Sequence, residues 1–550
     1  MASTTVETAW ERRIHVDRLR SHGRFDTLII GGGVVGAGAA LDLAVRGVDV
    51  GLVEQSDFAQ GTSSRSTKLF HGGIRYLPHF EFNLVSEGLR EQKILNSIAD
   101  FLYDPLEFVI PIYEQYGLAD APKWASKGWI APIALRAGLT LYDVLGGFGR
   151  PGDRHRGVDA ETLAAMMPEL RTEGLKSGVI YSDAQTDDAR LVVSLIKTAV
   201  RRHGATAAGG VRVEQIHPHD GWFTVDVCDT ATDERFSIEA TTVLAATGAF
   251  NLPGIDGPAS PMKLVMSKGS HLIVESADLP LRGRALVLPT TDDGRVLFIV
   301  PWLGHSMIGT TDTEYTADPT HPTASDEDNA YLIRHVRRYL DVDDFEPVSS
   351  FAGLRALADH GDESTARASR EHVVGQPVPG LVQVAGGKLT TYRKIAAEAS
   401  DVVAKHLGVG TASSTAHVPL VGANGSVPSL ERHLREAGLA ESAIQPTIRR
   451  YGTEATTIAR LISEDPSLAT AMGDGRTSHA DVVYAARYEA ARRISDVTLR
   501  RTHLAWFTAD HARTDAPSIA DLLQRELGWT DSERQAQIDA HEQELQAEAL

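Results

Sequence analysis

Three glycines spaced Gly31-x-Gly33-x-x-Gly36, with an acidic side chain, Glu54, 23 positions after the first, mark an anion cradle in this 550-residue chain. Gly31 permits a tight turn, Gly33 lets the backbone approach a pyrophosphate, and Gly36 allows a helix to pack closely on a strand. Glu54 stands where a ribose hydroxyl needs an acceptor. The loop Gly61-Thr62-Ser63-Ser64-Arg65-Ser66-Thr67-Lys68 follows, rich in the short hydroxyl donors that suit an extended diphosphate and ribityl chain. Lys388 follows Gly386-Gly387 at the start of a helix, where the helix dipole disfavours a cation, so its placement points to function. His71 and His271 are the candidate proton carriers, since a histidine ordinarily titrates near neutral pH.

These residues need a parallel sheet to position them. Residues 25–30 read as an apolar strand, an Ala-rich helix runs through Leu43, and residues 48–53 form a second strand ending at Glu54. Two later segments repeat the pattern of strand followed by glycine turn: Thr242 to Gly248, and Leu381 to Thr391, where a helix start can stabilise negative charge on a reduced ring. Together with the hydroxyl loop they favour FAD over NAD. The expected cofactor contacts are Gly31, Gly33, Gly36, Glu54, Thr62, Ser63, Ser64, Lys68, Leu69, His71, Val213, Thr247, Gly248, Gly387, Lys388, Leu389 and Thr390.

The runs Ser63-Ser64-Arg65-Ser66-Thr67-Lys68-Leu69, His71-Gly72-Gly73-Ile74-Arg75-Tyr76-Leu77, Asp187-Asp188-Ala189-Arg190-Leu191, Lys268-Gly269-Ser270-His271, Gly309-Thr310-Thr311-Asp312 and Gly386 to Lys394 resemble those of FAD-dependent glycerol-3-phosphate dehydrogenases of the bacterial aerobic type. The resemblance runs in order from about Phe25 into the carboxy-terminal region. One departure is Thr247-Gly248-Ala249-Phe250, where relatives often carry Thr-Gly-Pro-Trp. The resemblance implies oxidation of sn-glycerol 3-phosphate to dihydroxyacetone phosphate, with hydride passing from C2 to flavin N5 and electrons to a membrane quinone. It places Arg75, Tyr76 and Arg355 at the substrate; Thr311 is a further substrate candidate, and His71, His271, Arg355 and Lys388 are the candidates for catalysis. Either histidine fits the base. An oxidase using dioxygen, an amino-acid-oxidase-like flavoenzyme and a non-catalytic flavoprotein module are the competing readings; phosphate dependence and turnover separate them.

Composition agrees with a folded flavoprotein. Hydrophobic residues make up 42% of the chain and mean hydropathy is −0.15, which excludes a disordered protein. A formal charge of −19 argues against nucleic acid, and one cysteine, Cys228, against thiolate metal clusters. No metal site is expected. No apolar signal-peptide core and no 20-residue uncharged span are visible, so a cytoplasmic-side protein is expected. The segment from Lys123 to Leu145, with Trp124 and Trp129, has the composition of a helix touching an anionic membrane peripherally, on the inner face of the cell membrane. The chain leaves room for a homodimer.

The fold class is α/β: a Rossmann-like FAD-binding domain with an inserted antiparallel-sheet substrate domain and a C-terminal helical domain. The expected divisions are an N-terminal extension (1–24), three parts of the FAD-binding domain (25–110, 151–264 and 351–407), a cap or membrane-contact segment (111–150), the antiparallel substrate domain (265–350), a linker (408–429) and the helical domain (430–550). Residues 80–145 read as helix and loop, punctuated by Pro105, Pro111, Pro122 and Pro132. A helix from Ala189 to His203 is capped by Thr186 or Asp187 and stopped by Gly204, another spans 481–502, and Thr530-Asp531-Ser532-Glu533 opens a last one.

Overall fold

The computed structural model describes residues 10–73, 81–116, 130–146, 154–257, 261–358 and 372–550. Among them, sheets of nine and ten strands carry the fold, followed by a helical region. The nine-stranded sheet is built around Phe25–Ile30, which pairs in parallel with Val50–Glu54 on one side and Glu234–Ala245 on the other. Thr206–Gly209 extends the parallel set beyond Val50–Glu54, and Leu381–Ala385 joins Glu234–Ala245 at Val243, Leu244 and Ala245. Such strands are covered on both faces and so read as apolar runs without alternation; Leu28, Ile29, Val243 and Leu244 are all fully buried. Their carboxyl ends lead directly into Gly31, Ala246 and Gly386, bringing three turns to one edge, where open α/β sheets bind ligands.

Helices Val34–Val45, Asp188–His203 and Tyr392–Leu407 pack together over this sheet. The second has Asp187 as its N-cap, accepting from Arg190 N, and Gly204 in the left-handed region as its stop. The expected meander is present as Val211–His219 and Trp222–Asp229, but its third strand and the return strand are one continuous element, Glu234–Ala245.

The second sheet contains the predicted antiparallel strands: Leu264–Glu275, Ala285–Leu288, Leu297–Trp302 and His305–Gly309. It also recruits strands that correct the reading of earlier segments. Residues 80–145 are not only helix and loop, because Asp104–Tyr113 is a strand that pairs with Leu175–Gln185 and, in parallel, with Ala285–Leu288. Its side chains alternate between two cores, Leu106, Phe108, Ile110 and Ile112 in one, Val109 and Tyr113 in the other. Pro105 and Pro111 signal a break locally; here both lie outside Phe108 and Val109, the positions paired in parallel with Ala285–Leu288 among the described residues. Likewise Arg156–Asp159 and Leu175–Gln185, expected in the nucleotide domain, belong to this sheet.

Two further expectations change. Residues 408–429 are no free linker: Leu420 N donates to Ile98 O at 2.7 Å, Val421 N to Thr198 Oγ1 at 2.9 Å, and both side chains are buried. The helix expected over 481–502 is His479–Tyr488, then a break with Ala490 at φ +54, then a π-helical turn, Asp496–Arg501. The break turns Glu489 toward Arg190 and Lys197, at 2.5 and 3.0 Å, and Asp57 receives both Arg500 and Arg501. Thr530 and Glu533 form the predicted capping box of Asp531–Ala547.

Among the described residues no helix is long and apolar enough to cross a membrane. Helix Ile130–Leu145 buries Leu139 and Tyr142 against the second sheet and exposes Arg136, Ala137, Thr140 and Val144. Its described half is therefore a packing helix; Lys123, Trp124 and Trp129 lie outside the described residues.

Candidate active site

The glycine loop shows why each glycine is where it is. Gly31 adopts φ +108, and a Cβ there would lie 2.5 Å from Ala246 O, so the tight turn is also a contact with the neighbouring strand end. A Cβ on Gly36 would lie 2.0 Å from Gly31 O, which means the helix packs on the loop's own turn. At Gly33 the nearest atom is Ser63 Oγ at 3.1 Å, leaving the backbone open toward the cavity it lines. Val34 N, in the first turn of helix Val34–Val45, donates to Ser63 Oγ at 2.9 Å. That leaves the Ser63 hydroxyl proton to be offered to an anion lying over the helix N-terminus. Glu54 braces the loop from behind, accepting from Gly32 N at 2.8 Å and Ser56 N at 3.0 Å. Burial pushes its carboxyl upward, with those two amides pulling the other way.

From this loop a cavity of about 340 Å³ runs between the two sheets to the turn Gly386–Thr390. Its far wall is Leu264–Glu275 and Ser349–Ala358, which bring His271 and Arg355 to the same space. His271 is 2% exposed and stacks on Phe351, with ring centroids 4.7 Å apart and planes 14° apart. Its Nε2 shares a hydrogen bond with Thr67 Oγ1 at 2.9 Å, while Nδ1 is buried and without a hydrogen-bond partner among the described residues. Burial, then the charges of Arg355 and Lys68, bring its pKa down to about 3, so the ring is neutral at physiological pH. Arg355 donates to Thr310 Oγ1 at 3.2 Å and to Thr311 O and Ser267 Oγ at 3.3 Å, with Asp312 at 3.5 Å.

Two glycines make room for these side chains. A Cβ at Gly269 would lie 2.6 Å from an Arg355 nitrogen, and one at Gly309, the strand partner of His271, would lie 2.1 Å from the imidazole.

The structure gathers most of the expected residues and moves some out. Gly33, Thr62, Ser63, Leu69, His71, Gly248, His271, Arg355, Gly387, Lys388, Leu389 and Thr390 line the cavity. Thr247 lies beneath it, its hydroxyl donating to Phe250 O, and Ser64 Oγ turns back to Gly61 O. Lys68 is a correction as a cofactor contact: its ammonium is 4% exposed and held by Asp188 at 2.6 Å and Ser64 O at 2.5 Å. Thr311 is a second correction, since its Oγ1 accepts from Ser270 N and its carbonyl holds Arg355; Thr310 is the residue on the cavity wall. Val213 sits on the meander, packed in the apolar cluster behind the parallel sheet and away from the cavity. Arg75 and Tyr76 lie outside the described residues.

Sequence reasoning missed Arg65, whose side chain meets Glu548 through two hydrogen bonds of 2.7 and 2.5 Å and borders the cavity. No local pattern announces a partner 483 positions away. Thr67 and the clearing glycines were missed because only strand register reveals them.

The cavity suits a flavin dinucleotide. Its near end presents open backbone and a hydroxyl at a helix N-terminus, and its far end offers Gly387, at φ +101, followed by Lys388 and a second helix start. Residues 26–393 match the family described as FAD dependent oxidoreductase, and residues 413–534 match the C-terminal domain of alpha-glycerophosphate oxidase. Glycerol-3-phosphate dehydrogenase 2 of Mycobacterium tuberculosis is 33% identical over 544 residues, spanning 96% of this chain and 89% of that protein. The human mitochondrial glycerol-3-phosphate dehydrogenase is 32% identical over 550 residues, covering 95% and 73%. The crystal structure of glycerol-3-phosphate dehydrogenase from Bacillus halodurans, complexed with FAD, superimposes with a TM-score of 0.76 at 27% identity, covering 98% of this chain and 97% of that one. With a cradle for a dinucleotide, a matching fold and relatives aligned over nearly its whole length, the chain belongs to the FAD-dependent glycerol-3-phosphate dehydrogenase family.

Proposed function

We propose that this chain oxidises sn-glycerol 3-phosphate at C2 to dihydroxyacetone phosphate and delivers the electrons to a quinone. The observation that carries the reading is the convergence of Arg355, His271, His71 and Lys388 on one cavity with the glycine loop. Bound FAD supplies the hydride acceptor.

The chain's own residues bind, orient and move the proton. Arg355, fixed by Thr310 and Thr311, offers a planar fork to the substrate phosphate. His271, kept neutral and oriented by Thr67 and Phe351, suits a hydrogen bond to the C2 hydroxyl better than storage of its proton. His71 lines both this cavity and a smaller one of about 280 Å³ beside it, so it is placed to take the hydroxyl proton and pass it outward. Lys388, at the second helix start, supports negative charge that develops in the site. Arg75 and Tyr76 follow His71 closely in sequence and complete the proposed phosphate grip.

A quinone acceptor calls for peripheral contact with the membrane on its cytoplasmic face. That contact is assigned to residues 123–129, since the described half of the following helix packs inward. Anaerobic mixing of the FAD-loaded protein with glycerol 3-phosphate tests the reading: the flavin should bleach, and quinone should restore its colour faster than oxygen. No bleaching overturns the substrate assignment; faster recovery with oxygen makes the protein an oxidase.

A further inference from the structure

The turn His71-Gly72-Gly73 leaves the short strand Leu69–Phe70, which pairs with Ala184 and Gln185. Asp183, the next residue on that partner strand, is 3% exposed and lies under the turn. Its Oδ1 accepts three hydrogen bonds: from Gly72 N at 3.1 Å, from Gln92 Nε2 at 2.7 Å and from the Tyr142 hydroxyl at 2.6 Å. The Tyr142 oxygen in turn accepts from Gly72 N at 3.0 Å, so one amide is shared between phenol and carboxyl. The fit is close. A Cβ on Gly72 would lie 2.4 Å from the Tyr142 oxygen, and one on Gly88 would lie 3.0 Å from the Gly72 Cα. Gln92 also ties the strand end itself, donating to Phe70 O at 2.5 Å.

Asp183, Tyr142 and Gln92 line neither the cavity beside Arg355 nor the smaller one next to it, so none of the three is placed against substrate. We propose that Asp183 and Tyr142 are positioning residues: through the shared Gly72 amide they fix the turn from which His71 works. The assignment rests on the function read above. It also ties helix Ile130–Leu145, which carries Tyr142, to the geometry of the reacting centre.

The work is done by acceptance at Oδ1. Oδ2 is buried with no partner among the described residues, so a proton there leaves all three bonds intact. Burial favours that state, raising the Asp183 pKa to about 6 against the opposing pull of Tyr142, Gly72 and Gln92. The groups facing Asp183 are the Tyr142 and Tyr181 phenols, both held protonated well above their ordinary range by burial and by Asp183 itself.

The test compares Tyr142→Phe, Asp183→Asn and Asp183→Ala with the wild type, as FAD-loaded full chains, measuring flavin bleaching by glycerol 3-phosphate without oxygen. Loss of one bridging hydrogen bond predicts a bleaching rate about fivefold lower for Tyr142→Phe at saturating substrate, with flavin content and KM unchanged. Asp183→Ala should be slower still. Asp183→Asn, whose amide oxygen accepts the same bonds, should restore the rate per bound flavin. A group that only supports the fold would lower melting temperature and flavin content without changing that rate. Wild-type rates in Tyr142→Phe, or an Asp183→Asn as slow as Asp183→Ala, overturn the proposal; if Asp183→Ala does not fold, Tyr142→Phe decides alone. Failure of the wild type itself to bleach overturns the parent reading instead.

Discussion

Replacing Arg355 with alanine isolates the proposed phosphate contact. The guanidinium is held in a preset direction by Thr310 Oγ1 and Thr311 O, so little ordering entropy is lost when substrate arrives. A charge-assisted hydrogen bond is worth roughly 1.5–3 kcal/mol, and a two-pronged grip on phosphate more. The side chain is 30% exposed, so solvent screening discounts the larger figure. A loss of at least about 2 kcal/mol remains, close to thirtyfold in kcat/KM. Glycerol has no phosphate to lose, so its already poor use should be nearly unaffected, and the preference for the phosphorylated substrate should shrink by the same factor. Arg355→Lys, which keeps the charge but not the fork, should fall between. The assay is steady-state turnover on both substrates with flavin content measured in parallel. A variant within about twofold of wild type on glycerol 3-phosphate refutes the phosphate assignment, as does a wild type that uses glycerol equally well.

Four further outcomes are expected. Gly33→Val should abolish flavin absorbance, because its side chain enters the open face above Ser63; full occupancy would refute the cradle. His71→Asn should lower kcat and remove the acidic limb of its pH profile, whereas His271→Asn should lower kcat and leave that limb in place, since a ring with a pKa of about 3 is already neutral there. The reverse pattern exchanges the roles. Glu489→Gln should destabilise by about 3–5 kcal/mol in a thermal or urea melt, because Arg190 and Lys197 are left buried without their carboxylate. Burial alone would raise the Glu489 pKa, but Arg190 and Lys197 outweigh it and bring it to about 2; this stability is therefore present above pH 4.5 and lost as pH falls toward 2, a loss the variant should not show. Anionic liposomes should sediment the wild type at low salt and release it at high salt, and a Trp124→Ser, Trp129→Ser double variant should stay in the supernatant; wild type in the supernatant at low salt removes the membrane contact.

The parts of the fold legible in the sequence are those set by local physics. The glycine loop, the cap at Asp187, the stop at Gly204 and the Thr530–Glu533 capping box each depend on a few adjacent residues, and each is found as read. Asp104–Tyr113 was not legible because its proline signals are local while the pairing that tolerates them is not. The same division holds in the site. His271 and Arg355 reached the cavity as expected, yet the swap of Thr311 for Thr310, and the burial of Lys68 on Asp188, follow from register and tertiary pairing alone. Arg65 with Glu548 is the extreme case, joining the hydroxyl loop to the end of the last helix.

A charge of −19 sets a problem for a protein that must hold a phosphate ester. Among the described residues, several cations near the cavity are already paired. Lys68 is neutralised by Asp188 at 2.6 Å, Lys268 by Asp328 at 2.6 Å and Arg65 by Glu548 at 2.5 Å, so each presents only a dipole at a distance. These pairs are nearly buried, and their function is to fix loops and strands around the cavity. Recognition then falls to contact. Arg355 is presented to the cavity by hydroxyl and carbonyl oxygens of the Thr310-Thr311 turn, with room cleared for it by Gly269. An arginine aimed in this way discriminates by geometry within hydrogen-bond reach and does little to attract an anion through the solvent. On the proposed reading, selection for the phosphate would rest on side chains such as Arg355 that the second sheet places at the cavity, while the nucleotide sheet would contribute the cofactor's cradle at the opposite wall.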